Sequence, residues 1–162
     1  MRTVLHILFI SLLGFGIFTS NIFLKNILSF PFNTLNISFV FLILLLISTH
    51  SGKVVWLSFI THLLFDIYSA STFGIFLCAG TMTMLIEYWL YQDLFTNKSV
   101  WTLIAMTASG LVIFRILYTL GILFTEEILW ADVLIFYLWE MIFSLILAII
   151  SYEVAKVFFN RA

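Results

Sequence analysis

The run VLIFYLWEMIFSLILAII, residues 133–150, holds a single ionisable side chain, Glu140. A helix that crosses the hydrocarbon core of a bilayer needs about 20 mostly apolar residues. Read outward in both directions, the run predicts a membrane helix over 130–157, opening at Trp130 and closing just past Lys156. A lone strand is excluded there, because its backbone N–H and C=O groups would find no partners in lipid.

The pattern recurs toward the amino terminus. Apolar runs predict further helices over 4–20, 32–49, 54–69, 73–91 and 100–124. The fold class expected is therefore all-α: a polytopic membrane protein, one six-helix transmembrane bundle spanning residues 1–162. Composition points the same way. The chain is 64% hydrophobic and only 9% charged, where a soluble globular domain carries about a quarter charged residues. Its mean hydropathy is +1.21. With 7 Lys+Arg and 8 Asp+Glu, there is too little charge to cover a soluble surface. A net charge of -1 offers no electrostatic footprint for nucleic acid.

The start, Met1-Arg2-Thr3 before an apolar run, lacks a small-residue cleavage pattern and reads as an uncleaved signal-anchor. The connection over 21–31 is amphipathic and is expected to lie in the membrane interface. Loop charges set the orientation through the excess of Lys and Arg on cytoplasmic loops. With the amino terminus inside, Arg2, Lys53, Lys98, Lys156 and Arg161 all fall on the cytoplasmic side, and only Lys25 falls outside. Glu126, Glu127 and Asp132 gather on the outer connection between the last two spans. Six spans with both termini cytoplasmic explain this asymmetry. Trp56, Trp89, Trp101 and Trp130 lie near predicted span ends, as interfacial anchors do, whereas Trp139 lies well inside the last span.

Ionisable side chains within spans cost about 2.5–3.5 kcal/mol on insertion scales, so each needs a reason. Five candidates stand out: His62, Asp66, Glu87, Arg115 and Glu140. His62 and Asp66 are four residues apart and share a helix face. Arg115 and Glu140 lie at similar depth, each roughly 13 Å from the outer end of its span at about 1.5 Å per residue. These considerations predict an outer-half cluster of Asp66, Arg115 and Glu140 with His62 nearby, structural or partner-binding. An internal ion pair fixing helix packing, a docking point for a partner helix, and a ligand or proton path are all consistent with it. Glu87, a turn or two from the inner end of its span, is expected to reach the interface.

Nothing in the chain announces catalysis. There is no activated nucleophile motif, no metal-ligand spacing, no phosphate loop and no long loop to build a wet site. The lone Cys78 sits in an apolar run. The expectation is a non-enzyme with no cofactor and no metal. Small-xxx-small pairs at Gly16/Ser20, Gly74/Cys78 and Ala105/Ser109 mark faces where helices can approach closely. The sequons Asn36-Ile37-Ser38 and Asn97-Lys98-Ser99 are discounted, the first as too near the bilayer and the second as cytoplasmic.

The middle of the chain carries a resemblance. After Pro31 and the turn Ser51-Gly52-Lys53 comes Thr61-His62-Leu63-Leu64-Phe65-Asp66-Ile67-Tyr68-Ser69-Ala70-Ser71-Thr72-Phe73-Gly74. This resembles the rod shape-determining membrane protein MreD family, which tends to read G-L-x-x-D-x-x-S-x-x-x-x-G there. Asp66, Ser69 and Gly74 match at those spacings, and His62 stands where the family has Gly. On physical grounds Asp66 and Ser69 are expected to satisfy backbone groups where the third helix ends, and Gly74 to allow a tight turn. The resemblance covers roughly 31–74. It implies a non-catalytic scaffold of the cell-elongation complex in the bacterial cytoplasmic membrane, with an MreC-like protein and the peptidoglycan-synthesis machinery as partners. The family's fold is thought similar to the substrate-binding subunit of energy-coupling-factor vitamin transporters, which supplies the alternative function. Such a subunit shows an alanine-rich first helix, and 4–20 contains no Ala.

Overall fold

The structure, a computed structural model, describes residues 2–69, 72–95, 99–123 and 130–159. Among these the chain is all-helical: α1 (Arg2–Ile27), α2 (Ile37–Thr49), α3 (Lys53–Tyr68), α4 (Ile75–Asp93), α5 (Val100–Ile122) and α6 (Trp130–Phe159), with a 3-10 turn at Phe32–Thr34. Three helical stretches, Ile10–Ile27, Val100–Ile122 and Val133–Val154, are long and apolar enough to cross a membrane; Ile37–Thr49 is a shorter apolar helix.

Local chemistry explains the breaks. Asn36 caps α2, its side-chain oxygen accepting the Phe39 N–H at 3.2 Å. Ser99 does the same for α5 through the Thr102 N–H at 3.1 Å. Gly74 takes φ +99° at the start of α4, in the left-handed region that a side chain disfavours. One boundary departs from expectation. The segment from Asn21 onward is not an interfacial connection but continues α1 to Ile27. Asn21 is buried and its amide donates to Ser38 Oγ of α2 at 2.7 Å, so this turn packs into the bundle. Of the charges that fixed the expected orientation, Lys98, Glu126, Glu127 and Arg161 lie outside the described residues, as do the side chains of Arg2 and Asp132.

The shortest α-helix holds the centre. α2 packs against α1, α3, α5 and α6, and contributes Phe39, Val40, Leu42, Ile43, Leu46 and Ile47 to the core. A helix that is hydrophobic all round is a buried one. Around it, α3 packs on α4, α4 on α5, α5 on α6, and α1 on α3. The Phe32–Thr34 turn contacts both α1 and α6, bridging the ends of this arc.

Candidate functional site

Glu140, 1% exposed, is the hub of a polar knot where α2, α5 and α6 meet. Its Oε2 accepts from Arg115 Nε of α5 in the one ion pair among the described residues. Its Oε1 accepts from Asn36 Nδ2 at 3.0 Å. The Asn36 backbone N–H donates to Ser144 Oγ of α6 at 3.2 Å. One asparagine therefore caps α2, binds the acid and ties α6 to the centre. The Arg115 guanidinium lies 4.4 Å from the Tyr137 ring centre and 5.4–5.6 Å from those of Phe114, Phe136 and Tyr118. Rings around a cation supply attraction where water is scarce. The Tyr137 hydroxyl meets Thr119 Oγ1 at 3.0 Å, joining α6 to α5. Lys25, near the end of α1, interacts electrostatically with both Glu140 and Arg115. Its side chain is exposed.

Asp66 is not part of this knot, which corrects the expected grouping of Asp66, Arg115 and Glu140. The Asp66 carboxylate turns to the start of α4. Oδ2 accepts from the backbone N–H of Gly74 and of Leu77, each at 2.9 Å, and Oδ1 from Phe76 N–H at 3.0 Å. Gly74, the residue before α4, has no side chain to cap the helix, and Asp66 supplies the missing acceptor from α3. The first N–H groups of a helix lack partners within it and carry partial positive charge, so a carboxylate is the group that best fits. The spacing from Asp66 to Gly74 thus has a physical cause. The backbone groups Asp66 satisfies open α4 rather than close α3, as was expected. Ser69 does sit at the α3 end, where its N–H donates to the Phe65 carbonyl at 2.8 Å.

His62 is also placed apart, buried against α4. Its Nδ1 lies 2.8 Å from the Ser58 carbonyl and 3.1 Å from Ser58 Oγ, and Ser58 Oγ donates to the Gly80 carbonyl at 3.3 Å. A Cβ at Gly80 would stand 2.1 Å from the His62 ring. The small residue that permits close approach of α3 and α4 is therefore on α4. That leaves room for the bulky ring of His62 on α3.

Glu87 corrects the expectation that it reaches the interface. It is 0% exposed, facing α5, where Ser109 Oγ donates to its Oε1 at 2.9 Å. Oε2 has no hydrogen-bond partner among the described residues. Depth along α4 had suggested a route to water, but rotation about the axis decides: Gly80, Thr83, Glu87 and Tyr91 form one buried stripe. No group of three His, Cys, Asp or Glu suited to a metal occurs among the described residues.

Asn36 is the residue that sequence reasoning passed over, having considered it only as a sequon. A capping residue directly before an apolar helix was the available signal. Comparison with known proteins finds no matching family model, curated relative or solved structure.

Proposed function

We propose that this chain is a non-catalytic integral membrane scaffold that crosses the bilayer six times with both termini cytoplasmic. We further propose that it serves the bacterial cell-elongation complex, holding an MreC-like protein and cell-wall synthesis partners. The observation that carries the membrane reading is an inverted surface. Asp66, Glu87 and Glu140 are at most 2% exposed, while Trp56, Trp89, Trp101, Leu138 and Ile150 each expose more than half their area. These residues come from α3 to α6, so lipid contact around the whole bundle fits better than three immersed helices beside three dry ones. α2 has 13 residues, about 20 Å at 1.5 Å each, which is short for a span. Its position inside the arc of neighbours supports tolerance of that length. The cell-shape role rests on the Asp66–Ser69–Gly74 resemblance.

Reporter fusions at residue 162 and within 126–132 test the topology; opposite sides are expected, and the same side for both rules out six spans. Depletion in a rod-shaped host tests the role, with rounding expected. The alternative is a substrate-binding subunit of an energy-coupling-factor transporter; under the proposed orientation the Arg115–Glu140 knot falls in the outer half, where such a subunit would hold its ligand. Co-purification of an ATPase pair in place of an MreC-like protein would support it.

A further inference from the structure

The apolar surface of the bundle is not equally tall on its two sides. Around the arc, helix length rises from 16 residues in α3 to 19 in α4, 23 in α5 and 30 in α6. The face of α3 that carries Leu57, Ser58, Thr61 and His62 is buried. The opposite face is an apolar stripe of Trp56, Phe59, Leu63 and Ile67, half-buried in its middle and exposed at both ends. From Trp56 to Ile67 the stripe covers about 17 Å at 1.5 Å per residue. On α6 the exposed apolar side chains run from Leu134 to Val154, about 30 Å by the same measure. Nor can α3 grow at either end. The exposed Lys53 opens it. Near its other end Asp66 holds the N–H groups of Gly74, Phe76 and Leu77, so the chain has already turned back into α4 there. The whole of α3 is about 24 Å long, against about 30 Å for the hydrocarbon core of a bilayer. Tilt does not even out the two sides. α5 is about 35 Å long, and a tilt of about 40°, the top of the usual range, would still leave it about 26 Å tall.

We propose that the bundle meets the bilayer as a wedge: the α3 face is fitted to lipid of short hydrocarbon reach, about 24 Å, while the α5 and α6 faces meet a bilayer of ordinary thickness. The inference rests on the six-span reading above, which immerses α3. A span shorter than the hydrocarbon is met by thinning of the bilayer, by snorkelling of flanking side chains or by association that hides the mismatch. Lys53 has the long stem that snorkelling needs. Asp66 is committed to the backbone of α4 and cannot follow. The compression therefore falls on the leaflet at the Asp66 end of α3. Trp56 on α3 and Trp101 on α5 each stand near the start of their helix, 67% and 79% exposed, so they report the lipid on the short and the tall side.

Two single-tryptophan forms of the full chain test the wedge, one keeping Trp56 and one keeping Trp101, with phenylalanine at the other tryptophan positions. Each is reconstituted in brominated phosphatidylcholine mixed with dimyristoleoyl-, dioleoyl- or dierucoyl-phosphatidylcholine, and fluorescence quenching gives the relative affinity of each lipid for the surface beside the tryptophan. The shortest lipid should hold the Trp56 surface at least about threefold more strongly than the longest, because mismatch costs free energy with every ångström. At Trp101 that preference should vanish or reverse. The same ratio at both tryptophans would overturn the wedge. Quenching of Trp56 by no lipid at all would also overturn it, since a second copy would then cover α3. The unaltered chain supplies a second reading that does not depend on those variants. With donor and acceptor dyes on the exposed Cys78, energy transfer between copies should rise at least about twofold from dimyristoleoyl to dierucoyl bilayers, as short faces associate to hide their mismatch. Transfer that does not change with lipid length would overturn the proposal. Failure of the six-span topology would show in the reporter fusions, which do not depend on lipid length.

Discussion

The polar knot at the start of α2 and the seam between α4 and α5 each bury a glutamate, and they treat it differently. Glu140 receives an arginine on one oxygen and an asparagine amide on the other. Glu87 receives one serine hydroxyl, and its second oxygen has nothing. Asp66, near the end of α3, is satisfied three times over by the backbone at the start of α4. Burial alone is the same in all three, so burial does not measure what a carboxylate holds together. A fully partnered acid holds groups on other elements with both of its oxygens: Glu140 links α2, α5 and α6, and Asp66 satisfies the start of α4 from α3. Glu87 links α4 to α5 through one oxygen and one hydroxyl. The polar residues that organise this fold are the ones whose removal leaves someone else's charge or N–H stranded.

That contrast predicts its largest effect at Arg115. Removing one member of a buried ion pair strands the other, at a cost of about 3–5 kcal/mol. Arg115→Gln should therefore destabilise the detergent-solubilised protein by that order in an equilibrium unfolding assay. Glu140→Gln should cost less, because the amide still accepts from Asn36 or Arg115. The double variant should cost less than the sum of the singles, the signature of residues acting as a unit. Full additivity would mean that the pair carries no coupling, and the distinction between Glu140 and Glu87 would collapse.

Next comes Asp66. Asp66→Ala leaves the N–H groups of Gly74, Phe76 and Leu77 without their acceptor, at a cost of about 2–3 kcal/mol for charge-assisted bonds partly recovered by solvent. Hydrogen exchange should locate the damage in the first turn of α4 while α5 and α6 stay protected. Faster exchange spread evenly over the bundle would show that Asp66 supports the whole fold rather than one helix start.

These residues were unequally legible in the sequence. Arg115 and Glu140 could be matched because depth in a membrane helix follows from counting residues to its end. Depth says nothing of rotation, and rotation is what separated Asp66 from Arg115 and turned Glu87 inward. The stripe at 80, 83, 87 and 91 carried that rotation in its spacing of three and four, but its letters, Gly, Thr, Glu and Tyr, do not look like a core. Gly80 under His62 could not be read at all, since it depends on which two helices meet and at what height. The continuation of α1 through Asn21 was missed for a similar reason. A polar residue in an apolar run reads as a boundary unless a partner such as Ser38 awaits it.

The smallest effect is expected at Glu87. Glu87→Gln keeps the shape and keeps an oxygen for Ser109, and the atom it alters is the one with no partner. Side-chain hydrogen bonds between membrane helices average only about 0.6 kcal/mol in double-mutant cycles, so even loss of the Ser109 contact is a small term. Against this, the amide removes any charge from a place with no ion-pair partner among the described residues, which favours the folded state. The two terms are of similar size and opposite sign. Glu87→Gln should leave unfolding within about 1 kcal/mol of the parent, on either side. Glu87→Ala should cost more, because it opens a cavity beside Phe39 and Gly110, whose Cβ position lies 3.2 Å from Glu87 Cγ. If Glu87→Gln instead lost as much as Arg115→Gln, the unpartnered oxygen would have to serve a group that only a carboxylate can satisfy. The middle of the bundle would then be a second organising centre, and Glu87 would belong with Glu140 after all.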